Sequence, residues 1–69
     1  MIKARVNSDC SSVINMRRLP DVNSEIEDRI LVGTIVDVNI RDKEWSNITV
    51  NDKTGYMMNI FLVFGEDYE

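Results

Sequence analysis

A small all-β fold is what this sequence predicts, and three observations carry the prediction. The stretch Gly33-Thr34-Ile35-Val36-Asp37-Val38-Asn39-Ile40 alternates, with Thr34, Val36, Val38 and Ile40 on one face and Ile35, Asp37 and Asn39 on the other. After the polar break Arg41-Asp42-Lys43-Glu44, the segment Trp45-Ser46-Asn47-Ile48-Thr49-Val50 alternates again, setting Ile48 and Val50 opposite Trp45, Asn47 and Thr49. Period-two patterning in β-branched residues marks a strand with one buried face, and a short polar break folds two such strands into an antiparallel hairpin. Third, turn-favouring residues recur between short apolar runs, so five or six strands follow one another as a small barrel or sandwich.

The elements follow in order. Ile2, Ala4 and Val6 alternate with Lys3, Arg5 and Asn7 as a first strand. Asn7-Ser8-Asp9-Cys10-Ser11-Ser12 is a loop, because its short polar side chains compete with regular backbone pairing. Alternation resumes in Val13-Ile14-Asn15-Met16-Arg17, with Ile14 and Met16 inward. A long polar excursion from Arg18 to Glu25 holds the only proline, Pro20, whose fixed φ and missing N–H exclude a central strand. Beyond it two readings stay open: a helical turn capped by Ser24 with Glu27 three residues on, or a short strand of Ile26, Ile30 and Val32 running into a bend at Gly33. Asn51-Asp52-Lys53 is a tight turn, since Asn and Asp tolerate the positive φ of such hairpins. It leads to a strand at Thr54–Met58, a 3-10 turn at 59–61, a closing strand Leu62-Val63-Phe64 and a frayed acidic tail, Gly65 to Glu69.

Composition bounds the function. The 69 residues make a single domain, 43% apolar and rich in Ile and Val, with a barrel at about 2–64 and the tail at 65–69. One cysteine, Cys10, excludes a disulfide within the chain, and the absence of histidine excludes a zinc site of the usual N/S kind, so neither cofactor nor metal is expected. A net charge of −4, with eight basic residues scattered among twelve acids, disfavours nucleic acid and anionic membrane as partners. The start Met1-Ile2-Lys3-Ala4-Arg5-Val6 is not a signal peptide, and no apolar run reaches membrane-spanning length. Two locations stay open: the cytoplasm for a complete gene product, or the cell wall for a fragment of an exported protein.

In this order the chain resembles the bacterial SH3 (SH3b) family. Ile14-Asn15-Met16-Arg17 is similar to the family's Leu-Asn-Val-Arg opening, and Pro20 and Ser24 follow in the loop. Gly33-Thr34-Ile35-Val36-Asp37-Val38 is similar to its Gly-Thr-x-Val-x-Val strand, and Trp45 comes after the polar turn. Lys53-Thr54-Gly55-Tyr56-Met57 and Leu62 match its Lys-Thr-Gly-Trp/Tyr-Val ending. The family's Arg-Ser-Gly-Pro is here Arg17-Arg18-Leu19-Pro20, so the loop loses a glycine. The resemblance implies a small SH3-like barrel of five to six short antiparallel strands with one 3-10 turn near 59–61, which binds peptides or cell-wall material and catalyses nothing.

The candidate ligand-binding residues are Asn15, Arg17, Leu19, Trp45 and Tyr56. Trp45 is read two compatible ways: a ring lying over the barrel rim, or the wall of a shallow groove where an amphipathic ring gives contact area at small entropic cost. Tyr56 is read alike, with its hydroxyl reaching a polar group at the groove edge. Arg17 either grips a ligand carboxylate with two bonds or pairs with Glu25 or Asp37. Leu19 and Pro20 are either exposed contacts or packed under their loop. Glu25, Glu27 and Asp28 lack the spacing of a calcium loop and read as a solvated face, and the sequon Asn47-Ile48-Thr49 reads as chance. Docking of a polyproline helix needs a ladder of aromatic rings, which this chain lacks.

These residues predict a non-catalytic module that holds a short peptide, such as a cell-wall stem or cross-bridge, between the 18–25 loop and the 41–45 turn. The rival is an intracellular, mobile-element type of interaction module that blocks or bridges a protein partner. An enzyme is disfavoured, because no histidine, activated thiol or phosphate-binding glycine loop is present.

Overall fold

Seven antiparallel strands and one 3-10 turn make up the computed structural model, which describes residues 2–64; the acidic tail lies outside them. The strands are β1 (Ile2–Val6), β2 (Val13–Arg17), β3 (Ile26–Leu31), β4 (Ile35–Arg41), β5 (Trp45–Val50), β6 (Lys53–Met58) and β7 (Leu62–Phe64), with the 3-10 turn at Asn59–Phe61. They form one sheet in the order β3-β2-β6-β5-β4-β1-β7. At ordinary strand spacing the outermost strands of a flat sheet of this order would lie roughly 29 Å apart. Instead Ile14 and Ile30 from one end share a buried cluster with Ala4, Val6 and Leu62 from the other. The sheet therefore rolls into a barrel-like shape around one core, completed by Met16, Val36, Val38, Ile48, Val50 and Met57.

The turns are those that the residue types favour. Asn51 and Asp52 both adopt positive φ, 54° and 63°, and join β5 to β6 with two residues. Gly33, at φ 99°, makes the bend into β4, and its N–H bonds the carbonyl of Val6 at 2.8 Å. Ser8 Oγ accepts from the Cys10 and Ser11 amides, which orders the loop after β1.

Three expectations need correction. Seven strands form rather than five or six, and of the two readings left open after the 18–25 loop the strand is the one that forms, at Ile26–Leu31, with no helical turn at Ser24. Ser24 Oγ accepts from the Leu19 amide at 2.9 Å, so the serine closes the 18–25 loop on itself instead of capping a helix. Ile40 does not share the inward face of Val36 and Val38. A bulge shifts the β4–β5 register between Val38↔Ile48 and Ile40↔Asn47, and Ile40 is 64% exposed on the outer face. An extra residue inverts the parity of everything beyond it. A second register shift, between Met16↔Asp28 and Arg17↔Ile26, does the same on β3, turning Ile26 outward and leaving it 41% exposed.

Candidate functional site

Two walls and a floor converge at one end of the sheet. The first wall is the 18–25 loop, braced by its own polar groups. The Arg18 amide donates to the Glu25 carbonyl, the Ser24 amide to Asp21 O, and the Asn23 amide to the Asp21 carboxylate. Pro20, at its tip, leans over the floor.

The second wall is the turn Asp42–Glu44 between β4 and β5, and it is held from behind. Asn59 Nδ2 donates to the carbonyls of Asp42 (2.6 Å) and Lys43 (3.3 Å), while the Asn59 amide donates to Glu44 O at 2.8 Å. Asn59 Oδ1 in turn accepts from the hydroxyl of Ser46 at 2.5 Å. Ser46 is wholly buried, so this bond also satisfies a donor that would otherwise be stranded in the core. One asparagine thus fixes all three carbonyls of the turn.

The floor is the outer face of β4–β6. Cross-strand partners share a face, and the pairs Trp45↔Met58, Asn47↔Tyr56 and Ile40↔Asn47 place Trp45, Tyr56, Asn47 and Ile40 together. The bulge is what delivers Ile40. It also leaves Asn39 on this face, where its amide donates to Asn47 Oδ1 (2.9 Å) and Thr49 Oγ1 (2.8 Å). Between walls and floor lies a hollow of about 500 Å³, lined by Pro20, Ile40, Asp42, Lys43, Glu44, Trp45, Asn47 and Tyr56. That volume falls within the usual range of ligand pockets.

Trp45 also walls a second hollow of about 240 Å³, where Asn15, Arg17, Val22, Met58 and Phe61 join it. Arg17 is half-buried, and its Nη1 donates to the Ser24 carbonyl at 2.8 Å. The expected pairings of Arg17 are not made: Glu25 pairs with Arg18 at 3.3 Å, and Asp37 with Lys3 at 2.7 Å.

Of the residues singled out from sequence, Trp45 joins both hollows, Tyr56 lines the first, and Asn15 and Arg17 line the second. Trp45 is half-buried, lying on the rim and walling a groove together. The Tyr56 hydroxyl makes no hydrogen bond within the described residues, so the expected edge contact is not formed. Leu19 is exposed and lines neither hollow; its neighbour Pro20 occupies the place expected of it. Ile40 and Asn59 went unrecognised as contributors. Nothing in the alternating pattern marks the bulge that exposes the first, and the second acts only through carbonyls brought near by folding. Glu25, Glu27 and Asp28 do not converge, and no group of three metal-ligating side chains forms among the described residues. No protein-family model matches the chain, and no curated protein matches it in sequence.

Proposed function

We propose that the chain is a non-catalytic binding module of the SH3b kind, which holds a short extended peptide, of the sort found in cell-wall stems and cross-bridges, in the hollow between the 18–25 loop and the Asp42–Glu44 turn. The observation that carries this reading is the convergence of Trp45, Tyr56, Ile40 and Pro20 on one solvent-open hollow backed by two braced walls. The apolar side chains of the hollow gain free energy when a ligand removes them from water. Braced walls reduce the ordering that binding would otherwise require. Asp42, Glu44 and Lys43 on the rim, with the Asn47 amide, give a peptide backbone polar groups to align against. A single site this open binds weakly, and useful retention comes from tethering or repetition.

The test is sedimentation with purified peptidoglycan. Wild-type protein is retained, and Trp45→Ala and Tyr56→Ala each cut retention several-fold with the fold intact by circular dichroism. A second reading, a module that bridges or blocks a protein partner, draws support from Leu19 and Val22, both more than half exposed on the loop beside the hollow. Protein that stays in solution with peptidoglycan while holding a protein partner through Leu19 and Val22 favours that reading instead.

A further inference from the structure

We infer that the smaller hollow is a carboxylate pocket, and that a peptide lying across Trp45 is read with a fixed polarity, its carboxylate end at Arg17 and Asn15. The inference rests on the reading of the larger hollow as a peptide groove and adds to it the chemistry and direction of the ligand.

Three observations support it. Trp45 lines both hollows, so a chain laid over the indole is within reach of each. Among the residues lining the smaller hollow, Arg17 alone is charged. Its guanidinium is held by one bond, Nη1 to the Ser24 carbonyl at 2.8 Å, which orients the planar fork while committing one of its five N–H donors. Beside it, the half-buried Asn15 side chain makes no hydrogen bond among the described residues, so its amide N–H groups are available. An oriented guanidinium next to a free amide is the donor set that a carboxylate takes with paired bonds.

The larger hollow has the opposite character. Two carboxylates, Asp42 and Glu44, flank the single cation Lys43 on its rim. A ligand carboxylate is repelled there and attracted at Arg17, so the two directions of an otherwise symmetric extended chain differ in free energy. Terminal carboxylates and acidic side chains share this chemistry, and the experiment separates them.

Random heptapeptides displayed with free C-termini are selected on the immobilised protein, and a selected sequence is synthesised as free acid and as C-terminal amide. Binding is followed by the fluorescence anisotropy of an N-terminally labelled peptide, a readout that every variant, Trp45→Ala included, leaves intact. The free acid binds about tenfold more tightly than the amide, a ratio in keeping with a hydrogen bond to a charged group. Arg17→Gln and Asn15→Ala weaken the free acid more than the amide and so shrink that ratio. Should Arg17→Gln not fold, Arg17→Lys, which keeps charge but loses the fork, and Asn15→Ala carry the test. An amidated peptide ending in glutamate that regains the lost affinity identifies an acidic side chain as the source; one that does not identifies the terminus. Equal binding of acid and amide, with both dependent on Trp45, overturns the carboxylate pocket and leaves the groove standing. Peptides indifferent to Trp45→Ala overturn the groove, and the pocket with it.

Discussion

The β5–β6 hairpin and the groove end of the same sheet obey different rules. In β5 burial alternates without a break, Ser46, Ile48 and Val50 inside against Trp45, Asn47 and Thr49, and β6 matches it pair by pair from Trp45↔Met58 to Val50↔Lys53. In β4 the alternation ends at Val38, and in β3 the register slips before Ile26. Each bulge lies a few residues from a wall of the hollow, and each turns an isoleucine from the inner face to the outer. The regular hairpin gives its inner side chains to the core and Trp45, Asn47 and Tyr56 to the floor, whereas the irregular β4 end adds Ile40 to that floor. A sheet that alternated throughout would bury Ile40 and leave the floor of the groove without its aliphatic side.

The largest expected effect lies at the seam between these regions, where β2 crosses β6. The two strands meet at the single pair Arg17↔Tyr56. A Cβ added to Gly55 would sit 2.7 Å from the Arg17 carbonyl oxygen and 2.8 Å from Cγ of Met16. Met16 is wholly buried and the carbonyl belongs to the backbone, so neither yields without moving β2. Gly55→Ala should cost about 3 kcal/mol, at the upper end of overpacking penalties, measured by urea denaturation. For a chain of this size, melting should fall by about 4–8 °C for each kcal/mol lost. A loss below about 0.5 kcal/mol would mean that β2 rides free of the hairpin, and that the 18–25 loop is not held over the groove through this crossing.

A smaller effect separates the walls from the core. Asn59→Ala removes the bonds to Asp42 O and Lys43 O and strands the hydroxyl of Ser46. An unsatisfied buried hydroxyl costs about 1–3 kcal/mol, and the stability loss should fall in that range. Pairing the change with Ser46→Ala should recover part of it, because the stranded donor is then absent. The local consequence is read by hydrogen exchange. The Asp42 amide, which bonds Trp45 O at 3.1 Å, should exchange faster, while amides in the β5–β6 ladder slow or quicken only with global stability. Uniform acceleration across both regions would show the turn and the core opening as one unit.

This contrast also explains what the sequence disclosed. The core was legible wherever the period of two holds: Ala4, Val6, Ile14, Met16, Val36, Val38, Ile48 and Val50 are buried as the alternation requires. So was the Asn51-Asp52 turn, because positive φ selects those residue types locally. Within the site, Trp45 and Tyr56 could be found because an outward aromatic on a half-buried strand stands out against its pattern. Ile40 could not, since a bulge is set by hydrogen-bond register between strands and leaves no mark in the side-chain sequence of one of them. Asn59 was invisible for a related reason. Its partners are carbonyls 16 and 17 residues away, and every residue carries a carbonyl.

The smallest stability effect is the most discriminating. Ile40→Thr keeps the β-branch that suits a strand and replaces a methyl-bearing arm with a hydroxyl. If the bulge sets the face of residue 40, this side chain sits in the open hollow, and stability should change by no more than about 0.5 kcal/mol. If simple alternation held, the hydroxyl would enter the core beside Val38 and Ile48 without a partner, and the loss would reach about 1–3 kcal/mol. Binding moves the other way. A peptide covering the floor loses part of its apolar contact with Ile40, so its affinity should fall several-fold while the melting transition stays in place. A variant that melts early but binds normally once folded would put residue 40 in the core. It would also leave Trp45 and Tyr56 as the floor's only large apolar surfaces, a platform for flat rings rather than a groove for an aliphatic peptide.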